Sequence, residues 1–155
     1  MSTRSSGTYC SIKTVDSKTT SLVKKGLSDA KNYYFKVRAY RNGEGVKVYS
    51  PYSTVKYCGT ATATPSITKV SGCANKITVT WNNVSGETKY ELYMASSKSG
   101  TYNKIAALNA NTVSYTTSGL STAKTYYFKV RTYRTVGGKN TYTGYSAVKY
   151  GTTST

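Results

Sequence analysis

Thr-Tyr-Tyr-Phe-Lys-Val-Arg-Thr-Tyr-Arg, residues 125–134, alternates without a break. Tyr126, Phe128, Val130 and Thr132 fall on one side, and Tyr127, Lys129, Arg131 and Tyr133 on the other. A two-residue period over this length predicts a β-strand with one buried and one wet face. Its centre, Tyr-Tyr-Phe-Lys-Val-Arg at 126–131, also stands at 33–38, and 126 − 33 = 93. At the same offset Ser-Gly-Thr-Tyr at 6–9 recurs at 99–102, and Gly-Leu-Ser at 26–28 recurs at 119–121. Tyr-Ser at 52–53 recurs at 145–146, and Val-Lys-Tyr at 55–57 recurs at 148–150. Residues 1–59 thus match 94–152 without a gap, and 60–93 have no counterpart. Self-similarity at a fixed offset predicts a modular chain. It reads as one whole module preceded by the back part of another.

The rest of the whole module carries the same alternation. Ile77, Val79 and Trp81 alternate with Thr78 and Thr80, and Tyr90, Leu92 and Met94 with Lys89, Glu91 and Tyr93. Weaker candidates lie at 66–70, 102–108, 112–117 and 142–150. Turn signals separate them: Ser-Gly at 71–72 and 85–86, Lys-Ser-Gly at 98–100 and Val-Gly-Gly-Lys at 136–139. Several short strands with frequent turns and no helical period predict an all-β, antiparallel sandwich.

The order Pro65, Ile-Thr-Val-Thr-Trp at 77–81, Tyr-Glu-Leu-Tyr at 90–93, Gly-Leu at 119–120 and then Tyr126 resembles a fibronectin type III domain. Trp81 matches the tryptophan of that family's second strand. Leu120 and Tyr126 match its tyrosine corner, as do Leu27 and Tyr33 in the partial copy. The Lys- and Tyr-rich wording is similar to modules of secreted or surface proteins of Gram-positive bacteria. The resemblance implies an Ig-like sandwich with strands A 65–70, B 76–82, C 88–95, C′ 102–108, E 112–118, F 125–134 and G 142–151. Its sheets are A-B-E and C′-C-F-G. It implies a partial module at 1–59 with only C′, E, F and G, near 9–15, 19–24, 32–41 and 48–58. A linker at 60–64, a complete module at 65–152 and a tail at 153–155 follow. The partial module, lacking A, B and C, is expected not to fold alone as a standard module. Buried backbone groups left without partners cost about 1–3 kcal/mol each.

Composition narrows the function classes. Net charge is +17, from 22 Lys+Arg against 5 Asp+Glu. The excess is shared: 11 basic and 3 acidic residues lie in 1–59, and 11 basic and 2 acidic in 60–155. Such a surface attracts polyanions without regard to sequence. There is no histidine. Glu87 and Glu91 read as solvated charges and make no facing carboxylate pair. Val-Gly-Gly-Lys at 136–139 reads as a hairpin turn, not a phosphate loop. No cofactor motif or metal-ligand spacing stands out, and the chain reads as non-catalytic. Cys10 and Cys58 correspond to Asn103 and Gly151 in the second copy, and Cys73 lies in the 60–93 stretch that has none. On the implied sandwich Cys10 and Cys58 occupy opposite edges of one sheet, about 14 Å apart at ordinary strand spacing. A disulfide needs Cα atoms within about 7 Å, so free thiols are expected. No apolar run has the length of a membrane helix, and Met-Ser-Thr-Arg-Ser-Ser at 1–6 has no signal-peptide core.

One constellation has binding chemistry: the wet side of C, F and G. Tyr93, Tyr127, Lys129, Arg131 and Tyr133 share it, and Tyr34, Lys36, Arg38 and Tyr40 repeat it. Aromatic rings beside cations stack on sugars or bases while pairing with anionic groups. The alternative is a solvated strand face of β-favouring tyrosines and solubilising cations. The leading expectation is a spacer, or a weak adhesion unit for an anionic wall polymer or glycan, at the cell surface or outside the cell. A nucleic-acid-binding protein is the second. The third is an assembly subunit of a filament or phage particle, pairing with copies of itself through open strand edges.

Overall fold

The computed structural model describes every residue, Met1–Thr155, as two units, Met1–Thr60 and Ala61–Thr155. All regular structure is antiparallel strand. No helix is long and apolar enough to cross a membrane.

The first unit contains β1 (Asn32–Phe35), β2 (Tyr40–Gly43), β3 (Val46–Tyr49) and β4 (Lys56–Gly59). β1 pairs with β4, and β2 pairs with β3. Together they are one long hairpin with an irregular middle. Its turn places Glu44 (φ 41) and Gly45 (φ 78) in the left-handed region, the backbone that a tight two-residue hairpin requires. The strands expected at 9–15 and 19–24 do not form. In the second unit their counterparts pair with strands C and B, and Met1–Thr60 contains neither. Asp16 also intervenes locally: its carboxylate accepts from the Lys18 and Thr19 amides and the Thr19 hydroxyl, closing a turn. One trace of the missing pairing survives. Ser2 bridges Tyr34, as Ala95 pairs with Tyr127 one repeat later.

The second unit contains β5 (Ile67–Cys73), β6 (Lys76–Trp81), β7 (Lys89–Ala95), β8 (Asn103–Asn109), β9 (Ser114–Thr117), β10 (Thr125–Val136), β11 (Lys139–Tyr142) and β12 (Lys149–Thr152). One sheet runs β5-β6-β9. The other runs β11-β10-β7-β8, with β12 also on β10. This is the A-B-E and C′-C-F-G order of an Ig-like, fibronectin type III-like sandwich. Ile67, Ile77, Val79, Trp81, Val84, Tyr90, Leu92, Tyr126, Phe128 and Val130 form its core. They come from the alternating faces of both sheets, as sandwich packing requires. Trp81 leans on Tyr90 with ring centroids 5.7 Å apart.

The expected strand G is two strands, because Thr143–Val148 steps off the ladder. Side chains replace the lost backbone acceptors. The Thr132 amide donates to Thr143 Oγ1 (3.1 Å) and the Val130 amide to Ser146 Oγ (3.1 Å). The first unit repeats this stitch, with the Ala39 amide on Ser50 Oγ (3.0 Å) and the Val37 amide on Ser53 Oγ (3.1 Å). The tyrosine corner is likewise doubled. Tyr33 Oη accepts from the Ser28 amide at 2.9 Å and Tyr126 Oη from the Ser121 amide at 3.2 Å. Leu120 packs on the core and its amide donates to the Asn75 carbonyl, whereas Leu27 is half-buried with no such strand beside it.

The expected linker and tail are tied down. Thr60 bonds to Lys31 and Ser28 in the first unit, and buried Thr62 meets Thr132 at 2.7 Å in the second. Thr153 is buried and bonded to Ser121 and Lys124, and Ser154 Oγ accepts from the Ala74 amide. Gly151 is demanded by close approach: a Cβ there would lie 2.5 Å from Val70 Cγ1 of β5. Its counterpart in the first unit is Cys58, which is exposed. All three cysteines are exposed free thiols.

Interior burial separates the units. Phe128 and Val130 are fully buried, but their counterparts Phe35 and Val37 are half-buried and 71 % exposed. Tyr33 is the one buried large apolar side chain of the first unit.

Candidate functional site

β10 sets the spacing of the outer face of the second unit. Tyr127, Lys129, Arg131 and Tyr133 project from alternate positions, so neighbours stand about 7 Å apart at the strand rise. β7 supplies the next column in register, with Tyr93 opposite Lys129, Glu91 opposite Arg131 and Lys89 opposite Tyr133. On the other side the irregular segment Thr143–Val148 carries Tyr145, with Tyr142 and Tyr150 at the adjoining strands. Because Thr143 and Ser146 take over the amides of β10, Gly144 and Tyr145 are freed from the ladder. The Tyr145 ring then sits between the two cations.

The result is a ladder of rings and charges. Lys129 Nζ lies 4.0 Å from the centroid of Tyr145 and 4.4 Å from that of Tyr102. The Arg131 guanidinium lies 4.3 Å from Tyr142, 4.9 Å from Tyr145 and 5.4 Å from Tyr93. Tyr127 with Tyr150 (6.0 Å) and Tyr133 with Tyr142 (5.2 Å) close the two ends. Tyr93 meets Tyr145 edge-on at 5.1 Å. Cation–π contacts of this sort contribute about 0.5–1 kcal/mol each at exposed sites.

The first unit builds the same ladder. Lys36 Nζ lies 4.1 Å from Tyr52 and 4.3 Å from Tyr9, and the Arg38 guanidinium 3.8 Å from Tyr49 and 4.7 Å from Tyr52. Tyr34 stacks on Tyr57 at 5.5 Å, and Tyr40 meets Tyr49 at 5.7 Å. Of the expected face residues, the structure thus gathers Lys129 and Arg131 around shared rings and Lys36 and Arg38 around theirs. Tyr127, Tyr133, Tyr34 and Tyr40 stand at the ladder ends.

Glu91 departs from expectation. It does lie on the outer face, but it is buried and not a solvated charge. Its Oε2 accepts from Tyr93 Oη (2.8 Å) and Arg131 Nε (2.8 Å), and Oε1 accepts from Lys104 Nζ (3.0 Å). Burial pushes its carboxyl up, but the hydrogen bonds from Lys104, Tyr93 and Arg131 outweigh burial and hold it below the usual carboxylate value. Burial, together with the neighbouring carboxylate, raises the Tyr93 phenol far above its ordinary range. Arg131 Nη2 also donates to Tyr93 Oη at 2.9 Å, which closes the network. Glu87 is spent elsewhere, accepting from the Asn111 amide at 2.9 Å. No group of three or more His, Cys, Asp and Glu residues is arranged to hold a metal ion.

Sequence reasoning missed Tyr102, Tyr142, Tyr145 and Tyr150, and with them Tyr9, Tyr49, Tyr52 and Tyr57. The signal was present in the repeat, because each pair is identical at offset 93. Glu91 and Lys104 have no such signal.

No protein-family model matches the chain, and no curated protein matches it. Among solved structures, a β-1,2-glucanase from Parabacteroides distasonis aligns at 16 % identity and TM-score 0.53, over 72 % of this chain and 16 % of that one. The chain therefore corresponds to a small part of that enzyme. A Fn3-like protein from Clostridium thermocellum aligns at 26 % identity and TM-score 0.48, over 62 % of this chain and 97 % of that one. The sixth fibronectin type III domain of a human fibronectin type III domain containing protein aligns at 26 % and 0.44, over 58 % and 80 %.

Proposed function

We propose that the chain is a non-catalytic accessory part of a secreted or cell-surface protein. It acts as a spacer that also binds an anionic wall polymer or glycan weakly through its outer faces. The observation that carries this reading is the doubled ladder. Lys36–Tyr52 and Lys129–Tyr145 distances agree at 4.1 and 4.0 Å, although the interiors beneath them differ greatly. A surface repeated over different interiors supports a role for what it presents outward. The +17 charge supplies the long-range attraction.

Retention of the 155-residue chain on an immobilised anionic polymer tests the reading. Substituting Tyr127 and Arg131 together by Ala should shift elution to lower salt, and unchanged retention would remove the face from the proposal. Nucleic-acid binding is the second reading, favoured by the same charge and the same Tyr/Arg pattern. Assembly with neighbouring chains is favoured by the exposed Val37 and Val46 of the first unit. Concentration-dependent size in solution would mark that case.

A further inference from the structure

The ladders hold their cations in a way that limits what they can recognise. Tyr145 has Lys129 at 4.0 Å and Arg131 at 4.9 Å over its ring, and Tyr52 has Lys36 at 4.1 Å and Arg38 at 4.7 Å. A sugar or base that stacks must lie on a ring face. At the centre of each ladder the protein's own cations already lie over the rings. At the ends the rings contact one another, Tyr34 and Tyr57 stacked and the other three pairs tilted. Beside the rings, cation heads and phenol hydroxyls are directed outward. Tyr93 spends its hydroxyl on Glu91 and Tyr102 on the Lys98 carbonyl. Those of Tyr127, Tyr133 and Tyr150 have no partner in the protein, nor do those of Tyr34, Tyr52 and Tyr57, and Tyr52, Tyr57 and Tyr150 are 49, 50 and 67 % exposed.

Resting on the binding reading above, we infer that both faces read anionic oxygens and not rings. The ligand class is a flexible, ring-free phosphate polymer of the polyphosphate or polyol-phosphate kind. Lys129 and Arg131 sit about 7 Å apart along β10, Lys36 and Arg38 lie two residues apart in the irregular middle of the first hairpin, and arginine and lysine both bind phosphate oxygens with charge-assisted hydrogen bonds. The free phenol hydroxyls add neutral donors beside them. In the second unit Lys129 is the freer cation, since Arg131 is held by Glu91 at 2.7 Å.

The test compares three probes on the full chain at fixed ionic strength. They are inorganic polyphosphate, single-stranded oligothymidylate of equal phosphate number, and a neutral linear glucan. Polyphosphate and oligothymidylate should bind within about threefold of each other, with steep and similar salt dependence, and the glucan should not bind. Lys36→Ala with Arg38→Ala, and separately Lys129→Ala with Arg131→Ala, should each weaken polyphosphate binding at least tenfold, with Gln in place of Ala where the Ala pair unfolds. Oligothymidylate binding more than tenfold tighter than polyphosphate overturns this inference and favours the nucleic-acid reading. Glucan binding at comparable strength overturns it in favour of stacking. Undiminished polyphosphate binding in both folded double variants overturns it as well. If the wild-type chain binds none of the three, the underlying binding reading itself falls.

Discussion

The two units wear the same outer face over unlike interiors. In the second, β10 is pressed between a ten-residue core and the ladder. In the first, the matching hairpin carries the ladder on one side and leaves Val37 71 % exposed on the other. The difference separates two things that a sandwich usually supplies together. The ladder needs a hairpin, a hydroxyl stitch, the tyrosines of that hairpin and a ring from an earlier segment, Tyr9 or Tyr102. The core needs the second sheet.

The largest effect that tests this contrast lies in the interior. Phe128→Ala should cost the second unit about 3–5 kcal/mol, the usual range for a buried aromatic, whereas Phe35→Ala in the first should cost well under half of that. Urea unfolding of each variant measures both, and equal losses would break the comparison. Next comes the stitch. Ser146→Ala leaves the buried Val130 amide without its acceptor, at about 1–3 kcal/mol. Ser53→Ala leaves the exposed Val37 amide to water, and its effect should be small. Amide exchange at Val130 and Val37 reads the two directly.

The tyrosine corner should erase the contrast. Tyr33 and Tyr126 are both buried and hold equivalent amides. Removing either hydroxyl as Tyr→Phe should cost about 0.5–1.5 kcal/mol, and Ser28 and Ser121 amides should exchange faster by similar factors. The smallest effect concerns Glu91. Its native carboxyl titrates below its ordinary value, so it contributes stability above the unfolded carboxylate range. That contribution is lost as pH falls through the lowered native value. Glu91→Gln should flatten the acid limb of the stability profile of the second unit, and an unchanged acid limb would show that the network of Lys104, Arg131 and Tyr93 does not stabilise the fold.

The strands and their buried faces were legible because period-2 alternation is a local signal, whereas the order of strands in the sheets came from the resemblance to fibronectin type III domains. Trp81, Tyr126 and Phe128 announced their faces from neighbours two residues away. The break in strand G was not legible, because Thr143 and Ser146 read as ordinary strand residues until their hydroxyls are seen on the amides of β10. Glu91 was misread for a related reason. Its partner Arg131 is 40 residues away and Lys104 13 away, and no periodicity reports a pairing of that span. Strands C′ and E of the first unit were inferred from the repeat. A strand, however, exists only with a neighbour to bond, and the repeat carried sequence across without carrying the neighbours.

Gly151 bears on how the chain finds its fold. The chain contains two related hairpins, identical at 15 of the 28 positions between 32–59 and 125–152, and the sheet β5-β6-β9 shares its core with the second. Tandem copies invite mispairing during folding. The sheet brings Val70 to a spot where β12 offers only hydrogen, and the corresponding spot on the other hairpin is filled by the Cys58 side chain. The place that admits no side chain in the second unit thus carries a thiol in the first, so a sheet packed as β5 is packed on β12 would meet that side chain.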